Sequence, residues 1–163
     1  MKSEEIIKLI ERHFKDERQW VTFKELRVGT CYRLTHTYNG YEPENPQQRI
    51  DFWALNCYRS KNFEKVAFEI KVSRSDFLNE INKPEKRQQA LSLSNKFYFA
   101  APKGLIGLEE IPAECGLVEF KEGNTNLRWT KPAPWRDVSE PSWSFLASLA
   151  RRITKQEKAG VNP

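Results

Sequence analysis

No hydrophobic run in this sequence is long enough to cross a membrane. The 163-residue chain contains no apolar stretch that approaches the roughly 20 residues of a membrane-spanning helix. Its N-terminal segment, MKSEEIIKLIERHF, has the spacing of an amphipathic helix and lacks the apolar centre of a secretory signal. We therefore expect a cytoplasmic protein with no membrane partner.

Cysteine and histidine are scarce, which argues against a zinc centre or a disulfide framework. The three cysteines, Cys31, Cys57 and Cys115, are odd in number, far apart and form no Cys-x-x-Cys pair. The two histidines, His13 and His36, are too widely separated to suggest a ligand pair or a catalytic base. Free thiols are ordinary in a reducing compartment.

Acidic residues are outnumbered: 27 Lys and Arg against 22 Asp and Glu give a net charge of +5. A positive balance mildly favours a polyanionic partner such as nucleic acid. The aromatic signature of an RNA-recognition module is missing. No internal repeat and no linker interrupts the chain, so we expect a single domain over residues 1–163.

The spacing of hydrophobic residues predicts an ordered series of helices and strands. A long polar connection at 29–48 separates the first two strands, and its Asn39-Gly40 pair is typical of a hairpin turn. The predicted elements are a helix from 3 to about 16, strands at 20–28, 49–56 and 65–72, a helix after a capping box at 73–76, a helix at 84–94, strands at 96–101, 116–121 and 126–130, and a helix at 142–158.

This order of elements predicts an α/β fold. A helix, a three-stranded meander, a second helix and a further strand are followed by extra C-terminal strands and a helix. The meander should pair antiparallel and the strand after the second helix should return parallel. We therefore expect a mixed sheet that is flanked by helices.

The third strand, with VAFEIKV at 66–72, carries charge on one of its faces. Its alternate apolar residues form one face, whereas Glu69 and Lys71 point together to the other. If the preceding strand pairs with it as a hairpin, Asp51 lies beside Glu69. Two neighbouring carboxylates repel unless positive charge lies between them.

A divalent cation would supply that charge. Mg²⁺, or Mn²⁺ in its place, suits oxygen ligands and binds through one or two carboxylates together with water and phosphate oxygens. Lys71 would then face the water that attacks a phosphodiester and would stabilise charge in the transition state. The three residues Asp51, Glu69 and Lys71 are thus candidate catalytic residues, with the two carboxylates as metal ligands.

A structural explanation of the same pattern remains open. Glu-x-Lys in a strand is often a solvated face with cross-strand ion pairs. The chain contains a second copy, Glu119-Phe120-Lys121. This second copy has no Asp-bearing strand just before it and no capping box after it.

The chain contains, in this order, the segments Arg49-Ile50-Asp51, Glu69-Ile70-Lys71-Val72-Ser73-Arg74-Ser75-Asp76-Phe77, Lys96-Phe97-Tyr98-Phe99-Ala100-Ala101-Pro102, Ile111-Pro112 and Gly116-Leu117. This ordered set of segments resembles the PD-(D/E)xK nuclease superfamily, and within it the MmcB-like branch of predicted DNA-repair nucleases and their bacteriophage relatives. Ile50 stands where the motif of the family has a proline before its Asp, and the resemblance does not extend beyond residue 121.

The resemblance implies a restriction-endonuclease-like core at about 3–121 with a C-terminal extension at 122–163. It implies a Mg²⁺-dependent deoxyribonuclease that hydrolyses DNA phosphodiester bonds in DNA repair or bacteriophage DNA metabolism. Asp51 and Glu69 would be its metal ligands and Lys71 its catalytic lysine. Glu25, upstream of the Arg-x-Asp strand, matches a further carboxylate that such families place near the metal, although the 29–48 insert separates it from Asp51.

Polar and basic residues near the motif are candidate contacts to the DNA backbone. An ordinary solvated helix face, a salt bridge or a helix cap explains them equally well. Among them Gln88 is the residue that, by the resemblance, would reach back toward the site. The candidates are Arg49, Ser73, Arg74, Lys83, Lys86, Arg87 and Gln88.

Three tryptophans, Trp129, Trp135 and Trp143, lie in the C-terminal region. Stacking on unpaired bases and anchoring of the proline-rich segment to the core are both compatible with them. Alternatives to a DNA nuclease are a non-catalytic module that binds nucleic acid or protein on the same fold, and an RNA-processing enzyme of the same chemistry. One catalytic site per chain would suit a homodimer or a recruiting protein partner.

Overall fold

The computed structural model describes residues 2–28, 34–37, 40–43 and 48–160. Two compact units are distinguished, one of residues 1–26 with 50–139 and the other of residues 27–49 with 140–163. The single domain expected over residues 1–163 stays a prediction. The elements in chain order are α1 (Ser3–His13), β1 (Trp20–Val28), β2 (Leu34–Thr37), β3 (Gly40–Pro43), β4 (Gln48–Asn56), β5 (Lys65–Ile70), α2 (Arg74–Ile81), α3 (Gln88–Ser92), β6 (Lys96–Pro102), β7 (Gly116–Phe120), β8 (Arg128–Lys131) and α4 (Trp143–Gly160).

A six-stranded mixed sheet has the order β1-β4-β5-β6-β7-β8. The β4–β5 and β7–β8 pairs are antiparallel, whereas the β5–β6 and β6–β7 pairs are parallel. The expected α/β architecture with a mixed sheet, and the parallel return of the strand after the second helix, are confirmed. β8 lies in the predicted C-terminal extension and adds an edge strand to the sheet.

One face of the sheet packs against α1. The helix presents Ile6 and Ile10 at helical spacing, and both are buried in the same cluster as Phe52 and Phe68 of β4 and β5. The ring of Phe14, just after the helix, lies 5.7 Å from that of Phe68. Phe52 and Phe68 are even-numbered, and the odd-numbered residues of β4 and β5 point to the opposite face of the sheet, because side chains alternate along a pleated strand.

The opposite face of the sheet is covered by α2 and α3. Phe77 of α2 packs edge to face on Phe99 of β6, with ring centroids 5.5 Å apart. The indole Nε1 of Trp53 in β4 donates a 3.0 Å hydrogen bond to the carbonyl of Leu93 at the end of α3. Both faces of β5 are therefore buried, and its charged residues lie on the face that α2 covers.

The capping residue predicted for α2 is present. The hydroxyl of Ser73 accepts a 3.2 Å hydrogen bond from the backbone N–H of Asp76. β5 ends at Ile70 instead of continuing to residue 72. Pro84 opens a 3-10 turn that leads into the short α3, in place of one continuous helix over 84–94.

Within the second unit, β2 and β3 form an antiparallel hairpin in which Thr37 pairs with Gly40. The hairpin expected in the long connection is therefore present, although Asn39 of the predicted turn lies outside the described residues, as does Cys31. α4 spans 18 residues. Among the residues with a described placement, no helix combines the length and the apolar character needed to cross a membrane.

Candidate active site

Asp51 and Glu69 come together because β4 and β5 pair antiparallel. Phe52 pairs with Phe68, so the next step along the two strands sets Asp51 opposite Glu69. The backbone N–H of Ile70 donates a 2.9 Å hydrogen bond to Oδ2 of Asp51. This bond holds the Asp51 carboxylate at the end of β5, where the sequence predicted it.

Lys71 follows directly after β5 and is held by its backbone and by its side chain. Its N–H donates a 2.9 Å hydrogen bond to the carbonyl of Ala100 in β6. Its Nζ lies 2.9 Å from Oε1 of Glu69 and 3.6 Å from Oε2 of Glu80. The Lys71 side chain is only 10% exposed, so the ammonium is enclosed by the carboxylates around it.

Glu80 of α2 belongs to this cluster, although it is not among the site residues predicted from the sequence. In α2, Leu78 is 41% exposed, whereas Phe77 and Glu80 are buried. Residues three apart share a helix face, so the spacing of Glu80 from the apolar Phe77 was an available signal. Gln88, the residue expected to reach back to the site, is exposed on α3.

The carboxylates of this cluster outnumber its one ammonium group, and the pKa values of Glu69 and Lys71 are shifted as a result. Burial raises the pKa of Glu69, Asp51 and Glu80 raise it further, and Lys71 opposes them, so that the pKa is about 7. Burial alone would lower the pKa of Lys71, but Glu69, Glu80 and Asp51 outweigh that effect and raise it. Lys71 is thus an ammonium at neutral pH.

The residues present fit a divalent cation in charge and in chemistry. Three carboxylates, Asp51, Glu69 and Glu80, act on one ammonium, that of Lys71, so the fully ionised cluster has an excess of negative charge. Within the described residues, no group of three or more His, Cys, Asp or Glu is already arranged as a metal site. Mg²⁺ binds through one or two carboxylates with water and phosphate oxygens, and Asp51 and Glu69 could supply those two.

Glu25, the third predicted metal ligand, lies on β1 beside β4. Its side chain is exposed, and its φ of +49° is unusual for a residue other than glycine. A positive φ within a strand is typical of a bulge, which turns a side chain away from regular alternation. The assignment of Glu25 as a metal ligand stays a prediction.

Two arginines that were expected to contact DNA form ion pairs with carboxylates of the protein. Arg87 is buried, and its guanidinium contacts Glu114 at 3.1 Å and the carbonyl of Glu80 at 3.4 Å. We therefore remove it from the set of DNA contacts, since it does not face solvent. Arg74 forms a bidentate ion pair with Glu110 on the surface.

The other predicted DNA contacts are a helix-capping serine and three exposed basic residues. Ser73 caps α2, as one of its two interpretations proposed. Lys83 and Lys86 are exposed in the segment between α2 and α3, and Arg49, near the start of β4, is exposed. Their contact with a DNA backbone stays a prediction.

The second Glu-x-Lys copy has a structural role. Oε1 of Glu119 accepts a 2.9 Å hydrogen bond from the N–H of Gly104, and its Oε2 accepts one of 2.7 Å from the hydroxyl of Thr130. Both carboxylate oxygens therefore stabilise a turn and the edge strand β8. This arrangement distinguishes Glu119 from Glu69, whose Oε1 contacts a lysine ammonium.

Comparison with solved structures shows a likeness in fold. The chain is similar to a protein of unknown function from Silicibacter pomeroyi, with a TM-score of 0.58 and 20% sequence identity over 97% of this chain and 92% of that chain. No protein-family model matches the chain, and no curated protein matches its sequence.

Proposed function

We propose that this chain is a metal-dependent nuclease that hydrolyses DNA phosphodiester bonds, in DNA repair or bacteriophage DNA metabolism. The observation that supports the proposal best is the cluster in which Asp51, Glu69 and Glu80 gather about the buried ammonium of Lys71. The order of its motif segments, which resembles the PD-(D/E)xK nucleases, supports DNA as the substrate. The net charge of +5 agrees with a polyanionic partner.

The described side chains have separable roles in this proposal. Lys71 is protonated at neutral pH, so it donates hydrogen bonds and stabilises negative charge on a phosphate oxygen but does not accept a proton. Glu80 is a positioning residue, because it contacts the ammonium of Lys71 from the helix side. Asp51 and Glu69 would hold the cation.

Bound by these two carboxylates, a divalent ion would supply positive charge beside the phosphate and acidify water. The hydrogen bond from the N–H of Ile70 keeps Asp51 oriented, and the β4–β5 register keeps it opposite Glu69. Exposed Lys83 and Lys86 would contact the DNA backbone, together with Arg49. A homodimer or a recruiting protein would provide the second cut in a duplex.

The experiment that tests this function is a cleavage assay on labelled linear, nicked and branched DNA with Mg²⁺ or Mn²⁺, beside EDTA. Lys71→Met keeps the length of the side chain and removes its charge, so we expect a rate loss of at least about 100-fold. Lys121→Met, in the second Glu-x-Lys copy, is the matched control and should cleave at the wild-type rate. An RNA strand of the same sequence separates the two substrate classes.

A second candidate function is a non-catalytic module that binds nucleic acid or protein. The observation that favours it is that Lys71 already contacts two carboxylates, so the cluster can serve as an ion network that joins the sheet to α2. DNA binding without cleavage of any substrate, and no stabilisation by Mg²⁺ or Mn²⁺, would support this module over the nuclease.

A further inference from the structure

A cavity of about 360 Å³ lies on the α1 side of the sheet, away from the cluster of Asp51, Glu69, Lys71 and Glu80. Val66 and Tyr98, which belong to the core cluster beneath α1, line it. Glu69 is on the alternate face of β5 and near its other end. The cavity is therefore a separate site, and its volume falls in the range of small-molecule pockets.

The walls of this cavity are mainly aromatic, and the rings hold one another in place. Trp129 packs against Tyr98 at 4.8 Å with an interplanar angle of 78°, and against the imidazole of His13 at 5.3 Å. Phe14 and Trp20 meet edge to face at 4.7 Å. Such a wall suits a flat aromatic guest, since rings stack favourably on one another.

The polar part of the cavity is an ion pair. Nζ of Lys96 lies 2.7 Å from Oε1 of Glu64, and both side chains are partly exposed. A cationic guest would need an unpaired carboxylate, but Lys96 already neutralises Glu64. Burial lowers the pKa of His13, which favours the uncharged form of its imidazole. The lining thus favours a neutral guest with hydrogen-bond donors and acceptors on one edge.

We propose that this cavity binds a guanine base. Guanine presents two adjacent N–H donors beside a carbonyl acceptor, and a carboxylate can accept two such donors in parallel. Glu64 would accept from the two donors, Lys96 would donate to the carbonyl, and Trp129 would stack on the ring. The base belongs either to a free guanosine nucleotide or to an unpaired residue of a DNA strand.

Calorimetric titration of the full chain tests the proposal, and EDTA keeps it independent of the nuclease chemistry. Guanosine monophosphate should bind at least about tenfold more tightly than adenosine monophosphate or inosine monophosphate, which lacks the second donor. A thymidine oligonucleotide with one central guanine, compared with all-thymidine, distinguishes the strand from the free nucleotide as the source. Binding of the nucleotide, the oligonucleotide or both supports the site.

Variants connect the binding to the cavity. Trp129→Ala should weaken guanosine binding at least about tenfold, and Glu64→Gln should remove the preference over inosine. Leu108→Ala trims an exposed apolar side chain that does not line the cavity and should bind as wild type. Circular dichroism verifies that each variant is folded. The proposal is overturned if neither millimolar guanosine monophosphate nor the guanine-containing oligonucleotide binds saturably, if adenosine monophosphate binds as tightly as guanosine monophosphate, or if folded Glu64→Gln binds as wild type.

Discussion

The ammonium of Lys71 lies 3.6 Å from Oε2 of Glu80, and this contact joins the end of β5 to helix α2. Both side chains are almost fully buried, with 10% and 8% exposure. A buried charge that loses its partner is costly, so the orientation of Lys71 depends on a helix residue as well as on its neighbour Glu69. Glu80 therefore provides a way to alter Lys71 without changing it.

Replacement Glu80→Gln should lower the DNA cleavage rate by about 10- to 100-fold while the KM for DNA stays within about twofold. The amide keeps a hydrogen-bond acceptor but removes the charge that raises the pKa of Lys71, so the alkaline limb of the pH–rate profile should move to lower pH. Asn79→Ala, on the exposed side of the same helix, is the control. An unchanged pH profile would assign Glu80 a purely structural role.

Binding of Mg²⁺ or Mn²⁺ should raise the melting temperature by about 5–10 °C at a concentration near 100 times the Kd. The increase should be larger at pH 8 than at pH 6, because the cation must displace the proton of Glu69, whose pKa is about 7. Thermal melts with and without EDTA at the two pH values measure both effects.

Asp51→Asn should abolish that metal response and leave the fold intact. The asparagine carbonyl can still accept the hydrogen bond from the N–H of Ile70, so the substitution removes charge and keeps the link between the strands. Glu119→Gln is the matched control, since it changes the stability of β8 but should retain the full metal response. A metal response that survives Asp51→Asn would exclude Asp51 as a ligand.

Without metal, Glu69 should make the protein less stable as the pH rises. Its pKa is about 7 in the folded protein and near 4.5 in the unfolded chain, so the folded state binds the proton more tightly between those values. The free energy of unfolding should therefore fall between pH 4.5 and 7, by on the order of 2 kcal/mol. Urea titrations in EDTA should show this fall in the wild type and its loss in Glu69→Gln. If the free energy of unfolding changes with pH equally in the wild type and in Glu69→Gln, the pKa of Glu69 is not raised.

Phe63→Gly should stabilise the fold by about 0.5–1 kcal/mol. Phe63 has a φ of +48° in the turn between β4 and β5, and its side chain is 48% exposed, so the left-handed backbone costs more than the ring contributes. Phe63→Ala removes the same ring but keeps a Cβ at this φ, and should not stabilise. Chemical denaturation compares the two variants, and equal stabilities would assign the effect to the ring.

Much of the sheet could be predicted because alternation and turn residues are local signals. β1 has the predicted bounds, and the pairing that sets Asp51 beside Glu69 followed from one hairpin. The position of Glu80 could not be deduced as directly, because charged residues on a helix usually face solvent and only the packing of α2 buries this one.

The role of Arg87 shows a second limit of local patterns. Its side-chain partner Glu114 is distant in the sequence, and Glu80 contributes only its backbone carbonyl, which has no sequence signature. A basic residue beside Lys86 in a polar segment therefore suggested a surface contact, whereas the tertiary fold buries it. The aromatic cavity was equally hidden, since Trp129 and His13 are more than a hundred residues apart.

The alternation of apolar and charged side chains along β5 favours one pairing register with β4. A slip of one residue against β4 would turn Glu69 into the apolar cluster beneath α1 and move Phe68 out of it. It would also displace Val66 from the wall of the aromatic cavity. A misaligned hairpin would therefore bury an unpaired charge and lose both sites together, so the charged residues help to select the correct strand pairing while the chain folds.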